Sequence, residues 1–385
     1  MNKVLVLVNI TGLIIGISYG LHGPILPVFA KNIIGASYSE LGFIGLANFI
    51  PYMFIPIFVG ILLDRFNNGY ILAIGAAINS ASIYLLSIAQ TVPEIMGYRI
   101  MTGIAHAFFW PPCQSIISKE SSEQSRVRNI SWFTMFFVMG FMIGPLLGTV
   151  FIESLDITYR ILFQITAFIL AGGIIFALLI SRRGVTVHQE RFSFSSVKEM
   201  KRFPEVIILL IFCTSSFGII LSIYPAFLND RGMSDTDILL LYFAFGISRV
   251  ISLALAGKFA KRTSQTLIAA TIAVTVGLAI SAVSDSSIIF AVALVLMGFG
   301  FSIFFPLTLE IILSKTSKKI SGKIIGAYET VFGIGWAIGP TLGGPIAQAL
   351  GNQSPYLVFC VIGIGVTILA LRYRKKLEPN KIENI

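Results

Sequence analysis

Long apolar runs, separated by short polar clusters, follow one another along the whole chain. Each reaches roughly 20 residues or more, the length at which a helix crosses a bilayer. Twelve such runs predict twelve transmembrane helices at about 4–30, 39–63, 70–90, 94–117, 129–152, 159–181, 205–228, 236–257, 265–284, 287–313, 323–349 and 355–372. The first run is too long for a signal peptide and lacks a small-residue cleavage site, so it reads as a retained span. The longest polar stretch, Ser181 to Phe203, carries six basic residues and two acidic ones, Glu190 and Glu199. It predicts a linker between two six-helix halves, and the piece Phe192–Phe203 has the amphipathic makeup of a segment lying on a membrane surface. The expected organisation is a bundle at 1–181, a cytoplasmic linker at 182–203, a second bundle at 204–372 and a basic cytoplasmic tail at 373–385.

Composition supports a membrane protein. The chain is 56% hydrophobic and 12% charged, with a mean hydropathy of +0.87. A soluble protein would carry about a quarter charged residues. The 35 glycines suit close helix packing in lipid. Of the 28 basic residues, 23 fall on the side that holds both ends of a twelve-span chain, including Lys3, Arg65, Lys119 to Arg128, Lys258 to Arg262 and Arg372 to Lys381. The opposite loops hold Lys31, Arg160 and Arg231, and Arg99 and Arg249 fall inside spans. Lys and Arg favour the cytoplasmic side, so both termini are expected there, in a cell membrane. The net charge of +10 is then a topology signal, and no nucleic-acid partner is expected. Cys113, Cys213 and Cys360 all lie in apolar segments with no CxxC spacing. Neither disulfides nor a metal site is expected. There is no GxxxxGK[ST] sequence, no nucleophile–base pair and no room for a soluble domain, which argues against an ATP-driven pump, an enzyme or any cofactor.

A repeat underlies the pattern. The motif GxxxGPxxG occurs at Gly140, Gly144, Pro145 and Gly148, and again at Gly335, Gly339, Pro340 and Gly343, with Gly344 beside the second copy. Gly103 and Gly298, Pro111 and Pro306, and Gly20 and Gly218 pair at nearly the same offset. Two repeated hydrophobic bundles are a common architecture of secondary transporters. Gly140 and Gly144 share one helix face and permit close packing, while Pro145 removes a helical hydrogen bond and predicts a kink. The motif can serve packing alone, or a hinge and seal between the halves.

Four elements together resemble the major facilitator superfamily, over essentially the whole chain. Gly60-Ile-Leu-Leu-Asp64-Arg65-Phe66 is similar to the family's loop motif after span 2, and Arg99 with Gly103 matches its RxxxG pattern in span 4. The GxxxGP of span 5 resembles the antiporter signature of twelve-span drug and metabolite exporters, and Pro24-Ile-Leu-Pro27 their PxxP. The resemblance implies an all-α fold of twelve helices in two pseudo-symmetric six-helix bundles, alternating access, and a latch at Asp64 that closes the inner gate. The bland alternative is that Asp64 and Arg65 only cap span 2 and follow the charge rule. The loop motif departs from the pattern at Asn67, Asn68 and Gly69, and no acid lies in span 1 or span 4, where many proton-driven exporters carry one.

Ionisable groups inside spans are costly and usually face a cavity or a partner. Those here are His22, Arg99, His106, Arg249, Glu310 and Glu329. His22 and Arg99 fall at similar depth, in the outer half, and positions 99, 103 and 106 share a helix face. Glu329 or Glu310 is the candidate proton carrier, with Arg249 biasing it; a static ion pair at the inner gate is the alternative. His106-Ala-Phe-Phe-Trp110-Pro111-Pro112 predicts a kinked aromatic wall in span 4, repeated at Phe301 to Pro306 in span 10. Tyr19, Tyr224, Tyr328 and Trp336 could extend it. Such walls suit amphipathic solutes. A polyanion is disfavoured, although Arg99 and Arg249 could grip one carboxylate or phosphate. The expectation is a monomeric secondary transporter that exchanges a small organic solute for protons, most simply by efflux, with uptake of a small metabolite as the alternative.

Overall fold

The computed structural model describes residues 2–63, 65–182, 200–316 and 321–379, and their side chains other than those of 57, 123, 124, 126, 127 and 321–326. Asp64 and most of the predicted linker, with its amphipathic piece, lie outside the described residues. Among the described residues the secondary structure is wholly helical. Span 1 is Lys3–His22 continued by Ile25–Asn32, span 2 Tyr38–Leu63, span 3 Asn68–Ile88, and span 4 Val92–Ala107 continued by Trp110–Lys119. Span 5 is Glu123–Thr149, which passes into a π-helical turn at Val150–Ser154, and span 6 is Tyr159–Ser181. The second half holds span 7 (Pro204–Ser222, continued by Tyr224–Asp230), span 8 (Asp235–Ala254), span 9 (Thr263–Val283), span 10 (Ser287–Ser314), span 11 (Ser321–Leu350) and span 12 (Ser354–Arg372). Among the described residues, nine helical segments are long and apolar enough on their own to cross a membrane.

Local chemistry sets the ends and breaks. Thr91 and Ser234 start spans 4 and 8 with full capping boxes, to Glu94 and Asp237, satisfying N–H groups that a helix start leaves free. Gly35 and Gly232 occupy φ of +82° and +83° in the turns after spans 1 and 7, a region open to glycine. Pro24 and Pro111 coincide with the breaks in spans 1 and 4. Pro145 does not break its helix, which runs on to Thr149, and span 10 runs unbroken through Pro306. Pro145 therefore does not interrupt the helix, and the span 4 break has no twin in span 10.

The two halves repeat their packing. Span 1 packs on span 5 and span 7 on span 11; span 3 packs on span 6 and span 9 on span 12; span 2 packs on span 4 and span 8 on span 10. The halves meet along two seams that the same repeat relates, span 2 against span 11 and span 5 against span 8. Large apolar side chains such as Phe168, Ile175, Val361 and Ile368 stay exposed around the perimeter. A belt of this extent has no place in water and matches a lipid boundary.

The glycine motif works mainly inside each half. A Cβ at Gly140 would lie 2.2 Å from the Leu13 carbonyl oxygen, and one at Gly339 would lie 2.0 Å from that of Ser215. Gly144 and Gly335 likewise press on spans 1 and 7, at Ile17 and Thr214, and Gly343 on Ile219 and Ile223. Pro145 and Pro340 fit against Gly20 and Gly218 at corresponding places. Contact with the other half falls to Gly148, near Leu239, and to Pro340 and Gly344, which meet Gly42 and Gly45 of span 2.

Candidate functional site

A cavity of about 170 Å³ lies between the halves. Spans 1, 2, 4 and 5 of one half wall it, with spans 7, 8, 10 and 11 of the other. Ten of the ionisable or aromatic residues singled out in the sequence line it: Tyr19, His22, Arg99, His106, Trp110, Arg249, Phe301, Phe305, Glu329 and Trp336. Glu310 does not; it is exposed and lies off the cavity wall. Tyr224 and Tyr328 are also absent from the wall. They are fully buried between helices, with their hydroxyls bonded to Ser281 and Thr308 at 2.7 and 2.8 Å.

The first half contributes a polar cluster. Tyr19 stacks on His106, with ring centroids 4.5 Å apart, and lies tilted against His22 at 5.3 Å. The His22 Nδ1 sits 2.6 Å from the Ser18 carbonyl oxygen, which assigns the proton to that nitrogen and turns Nε2 to the cavity side. Arg99 is close enough for its charge to act on Tyr19, His22 and His106. The second half contributes rings. Phe217 stacks on Phe301 at 3.6 Å, and Trp336 packs among Phe49, Phe217 and Phe332. Trp110 packs on Phe133 and Phe137.

Arg249 and Glu329 have partners other than each other. The Arg249 guanidinium lies 5.2 Å from the rings of Phe141, Phe217 and Phe301 and 5.5 Å from Phe245. Its Nε donates to Ser302 Oγ at 3.4 Å. Four ring faces give a desolvated guanidinium the electrostatic partner that a carboxylate would otherwise supply. Phe141 belongs to the first half, so this cage spans a seam. Glu329 instead accepts a long hydrogen bond, 3.5 Å, from the hydroxyl of Tyr52, across the other seam. The expected pairing of Arg249 with Glu329 is therefore corrected to two separate contacts, each joining the halves.

The ends of the cavity differ. On the face opposite the termini, polar residues tie the halves together. Lys31 forms an ion pair with Asp230 and the Tyr38 hydroxyl donates to Asp230 Oδ2 at 2.8 Å, while Asn352, of the same half as Asp230, donates to that oxygen at 3.2 Å. Asn32 bonds Asn229, and Tyr159 bonds Asp235. On the face that carries the termini, the described bonds of Asn2 to Glu120, Lys376 to Glu205 and Ser264 to Glu378 each stay within one half. Gly60, whose lack of a side chain would let two helices touch near this face, has open space where a Cβ would stand, so no such contact is made in this arrangement. Arg65 is exposed at the end of span 2.

The opposite-face contacts make Asp230 a testable latch. It stands at the polar outer end of its helix, past the apolar run that crosses the membrane. Burial raises its pKa, but hydrogen bonds from Lys31, Tyr38 and Asn352, with the Lys31 charge, hold the carboxyl below the usual range. A depressed pKa means the contribution is present above the ordinary aspartate value of about 3.9 and lost as pH falls through the lowered one. Between about pH 5 and 8 the latch thus stays ionised, and opening at this face should not vary with pH on its account. Asp230→Asn should favour opening. A partly exposed pair is worth about 1 kcal/mol, roughly a fivefold change in the closed-to-open ratio. Labelling of Leu26→Cys, deep in the cavity wall, by an impermeant thiol reagent reads that ratio. Equal labelling rates with and without the Asp230→Asn change would show that the latch holds nothing.

The sequence directed attention to these wall residues but missed Asn48 and Tyr52 of span 2. The signal was available: two polar-tipped residues, one turn apart, in an otherwise apolar span. Glu310 could likewise have been set aside. It lies five residues beyond Phe305, about 140° around the helix from a residue on the wall.

Comparison with known proteins agrees with this architecture. The family model for the Major Facilitator Superfamily matches residues 8–340 and 264–385. The chain is 24% identical to the quinolone resistance protein NorA of Staphylococcus aureus (strain COL), over 99% of this chain and 100% of that protein. It is 24% identical to multidrug resistance protein 2 of Bacillus subtilis (strain 168), over 95% and 94%. The crystal structure of a point mutant of the nucleoside transporter NupG superposes with a TM-score of 0.82 at 12% identity, covering 96% of this chain and 99% of that one. Twelve helices in two repeated bundles around a shared cavity, with a family match across nearly the whole length, place this chain in the major facilitator superfamily of membrane transporters.

Proposed function

We propose that the chain is a proton-coupled exporter of small amphipathic organic solutes, acting as a monomer by alternating access. The observation that carries this reading is a cavity between two repeated halves, closed by polar contacts at the face opposite the termini, with a carboxyl group, Glu329, in its wall. The excess of Lys and Arg on the terminal side favours the cytoplasm of a cell membrane for that side, and the closure at the opposite face then fits an inward-facing arrangement. The division into bundles at 1–181 and 204–372, joined by a cytoplasmic linker, follows the same repeat. Solute would enter from the cytoplasm among Trp110, Tyr52, Phe332 and Trp336. Rocking about the two seams would part the Lys31–Asp230 contacts and release it outside. Protonation of Glu329, the group at a seam whose surroundings change as the halves rock, would couple the cycle to proton entry. His22, Arg99, His106 and Arg249 line the path, and Asp64 with Arg65 would serve the inner gate. The names of the two relatives, resistance proteins both, favour efflux over uptake.

Proteoliposomes with an imposed pH gradient test the reading. Ethidium, a fluorescent amphipathic probe, should be driven to the acidic side in protein-containing vesicles, and dissipating the gradient should stop it. Solute movement indifferent to the gradient would remove proton coupling. Movement only with the proton flow would convert the exporter into an uptake carrier, a cycle the same geometry allows.

A further inference from the structure

Ten buried side-chain polar atoms have no hydrogen-bond partner among the described residues, and five of them belong to residues of the cavity wall. These are Tyr19 OH, His22 Nε2, Asn48 Oδ1, Arg99 Nε and Trp336 Nε1. The Tyr19 hydroxyl lies near the Asn79 side chain but outside hydrogen-bonding geometry. Buried polar groups are otherwise almost always paired, because an unmet one costs about 1–3 kcal/mol. So dense a concentration in one chamber is the mark of a site whose partner is the ligand. Tyr19, His22 and Arg99 stand together at the first-half end, below the Lys31–Asp230 closure, and Trp336 faces them from the second half.

The chemistry of the set defines what it takes. Tyr19, Arg99 and Trp336 offer donors, and one of the three is a fixed cation. His22 Nε2 and Asn48 Oδ1 offer acceptors. The wall of the whole cavity holds two guanidinium groups, Arg99 and Arg249, against one carboxyl, Glu329. Arg249 already has four rings around its charge and Ser302 as acceptor for its Nε. Arg99 is the cation with an open donor.

We infer that the Tyr19–His22–Arg99 cluster is a subsite for the single anionic group, carboxylate in class, of an amphipathic solute whose apolar body lies against Trp336, Phe217 and Phe332. This deepens the proposed transport function and rests on that reading of the cavity. It has a consequence: lipophilic cations and neutral amphiphiles bind through the rings alone, while monoanions gain the Arg99 contact. A dianion meets no second free cation and gains nothing further. The acceptors at His22 and Asn48 add preference for a donor, hydroxyl or amine, next to the carboxylate.

Equilibrium binding to the purified full-length chain in nanodiscs tests this with three probes of one shape: naphthalene-2-carboxylate, its carboxamide and 2-naphthylmethylammonium. The carboxylate should bind at least about tenfold tighter than either isostere, the effect of a hydrogen bond to a charged group. Arg99→Gln should bring the carboxylate-to-carboxamide ratio down to about unity, because the charge that separates the two probes is gone. Arg99→Lys should restore part of it. The ratio is read in each variant, so a general loss of folded protein does not imitate the result. Should Arg99→Gln not fold, Tyr19→Phe should cut the same ratio by about tenfold. A carboxylate bound no better than its amide, or a preference that persists in Arg99→Gln and follows Arg249→Gln instead, overturns the assignment. This assay uses no gradient, so it can fail while proton-driven export stands, and proton-driven export can fail while the charge preference stands.

Discussion

Glu329→Gln is expected to bring gradient-driven solute movement down to the level seen with no gradient, while exchange of solute for solute across the same vesicles continues. Glutamine keeps the size of the side chain and can still accept from the Tyr52 hydroxyl. It loses only the ability to take up and release a proton. A proton can bias two conformations only through a difference in its affinity for them. Glu329 meets that requirement by position: its partner Tyr52 is on span 2 of the other half, 3.5 Å away across the seam with span 11. Rocking the halves changes that separation, and with it the environment of the carboxyl. The static alternative makes a different prediction. Were the contact only a pin between the halves, Tyr52→Phe and Glu329→Gln would slow driven movement and exchange alike. Driven movement in Glu329→Gln equal to that of the unaltered chain would take the proton off this residue, leaving His22 and His106 as the titratable groups in the chamber.

The path from sequence to structure was uneven for physical reasons. Span positions were legible because bilayer thickness and hydropathy fix them locally: 159–181 is reproduced to the residue, and the other predicted spans differ by a few residues at each end. The repeat was legible because backbone contact demands glycine, and Gly20 with Pro145 and Gly218 with Pro340 keep that demand in both halves. Side-chain partners were not. Arg249 and Glu329 lie at similar depth, and depth alone suggested a pair. The partner of each is decided by helix rotation and by residues more than a hundred positions away: Phe141 for Arg249, Tyr52 for Glu329. The ring cage is assembled from spans 5, 7, 8 and 10, and no spacing along the chain announces it. The break at Phe108–Phe109 was legible from Pro111 and Pro112, whereas Pro145 leaves its helix unbroken. Proline removes one donor in both places; packing against the neighbouring helix decides whether the helix is interrupted.

Two glycine-to-alanine changes separate the seams from the interior of a half, and they should behave differently. At Gly42 a Cβ would stand 2.4 Å from the Pro340 carbonyl oxygen and 3.0 Å from the Gly344 Cα, across the span 2–span 11 seam. Backbone atoms cannot swing aside, so the halves must separate there. Overpacking of this kind costs about 1–3 kcal/mol. The cost falls only on the arrangement with the seam closed, and it shifts the balance toward outer opening by roughly 5- to 150-fold. At Gly140 a Cβ would stand 2.2 Å from the Leu13 carbonyl oxygen and 2.8 Å from the Ile17 amide nitrogen, between spans 5 and 1 of one half. That contact belongs to a bundle that moves as a unit, so the penalty is carried in every conformation. Gly42→Ala should therefore raise thiol labelling at Leu26→Cys with a small change in melting temperature, and Gly140→Ala should lower the melting temperature with labelling unchanged. If Gly42→Ala only destabilises the protein, the span 2–span 11 contact is part of a fixed core, and the halves do not rock about it.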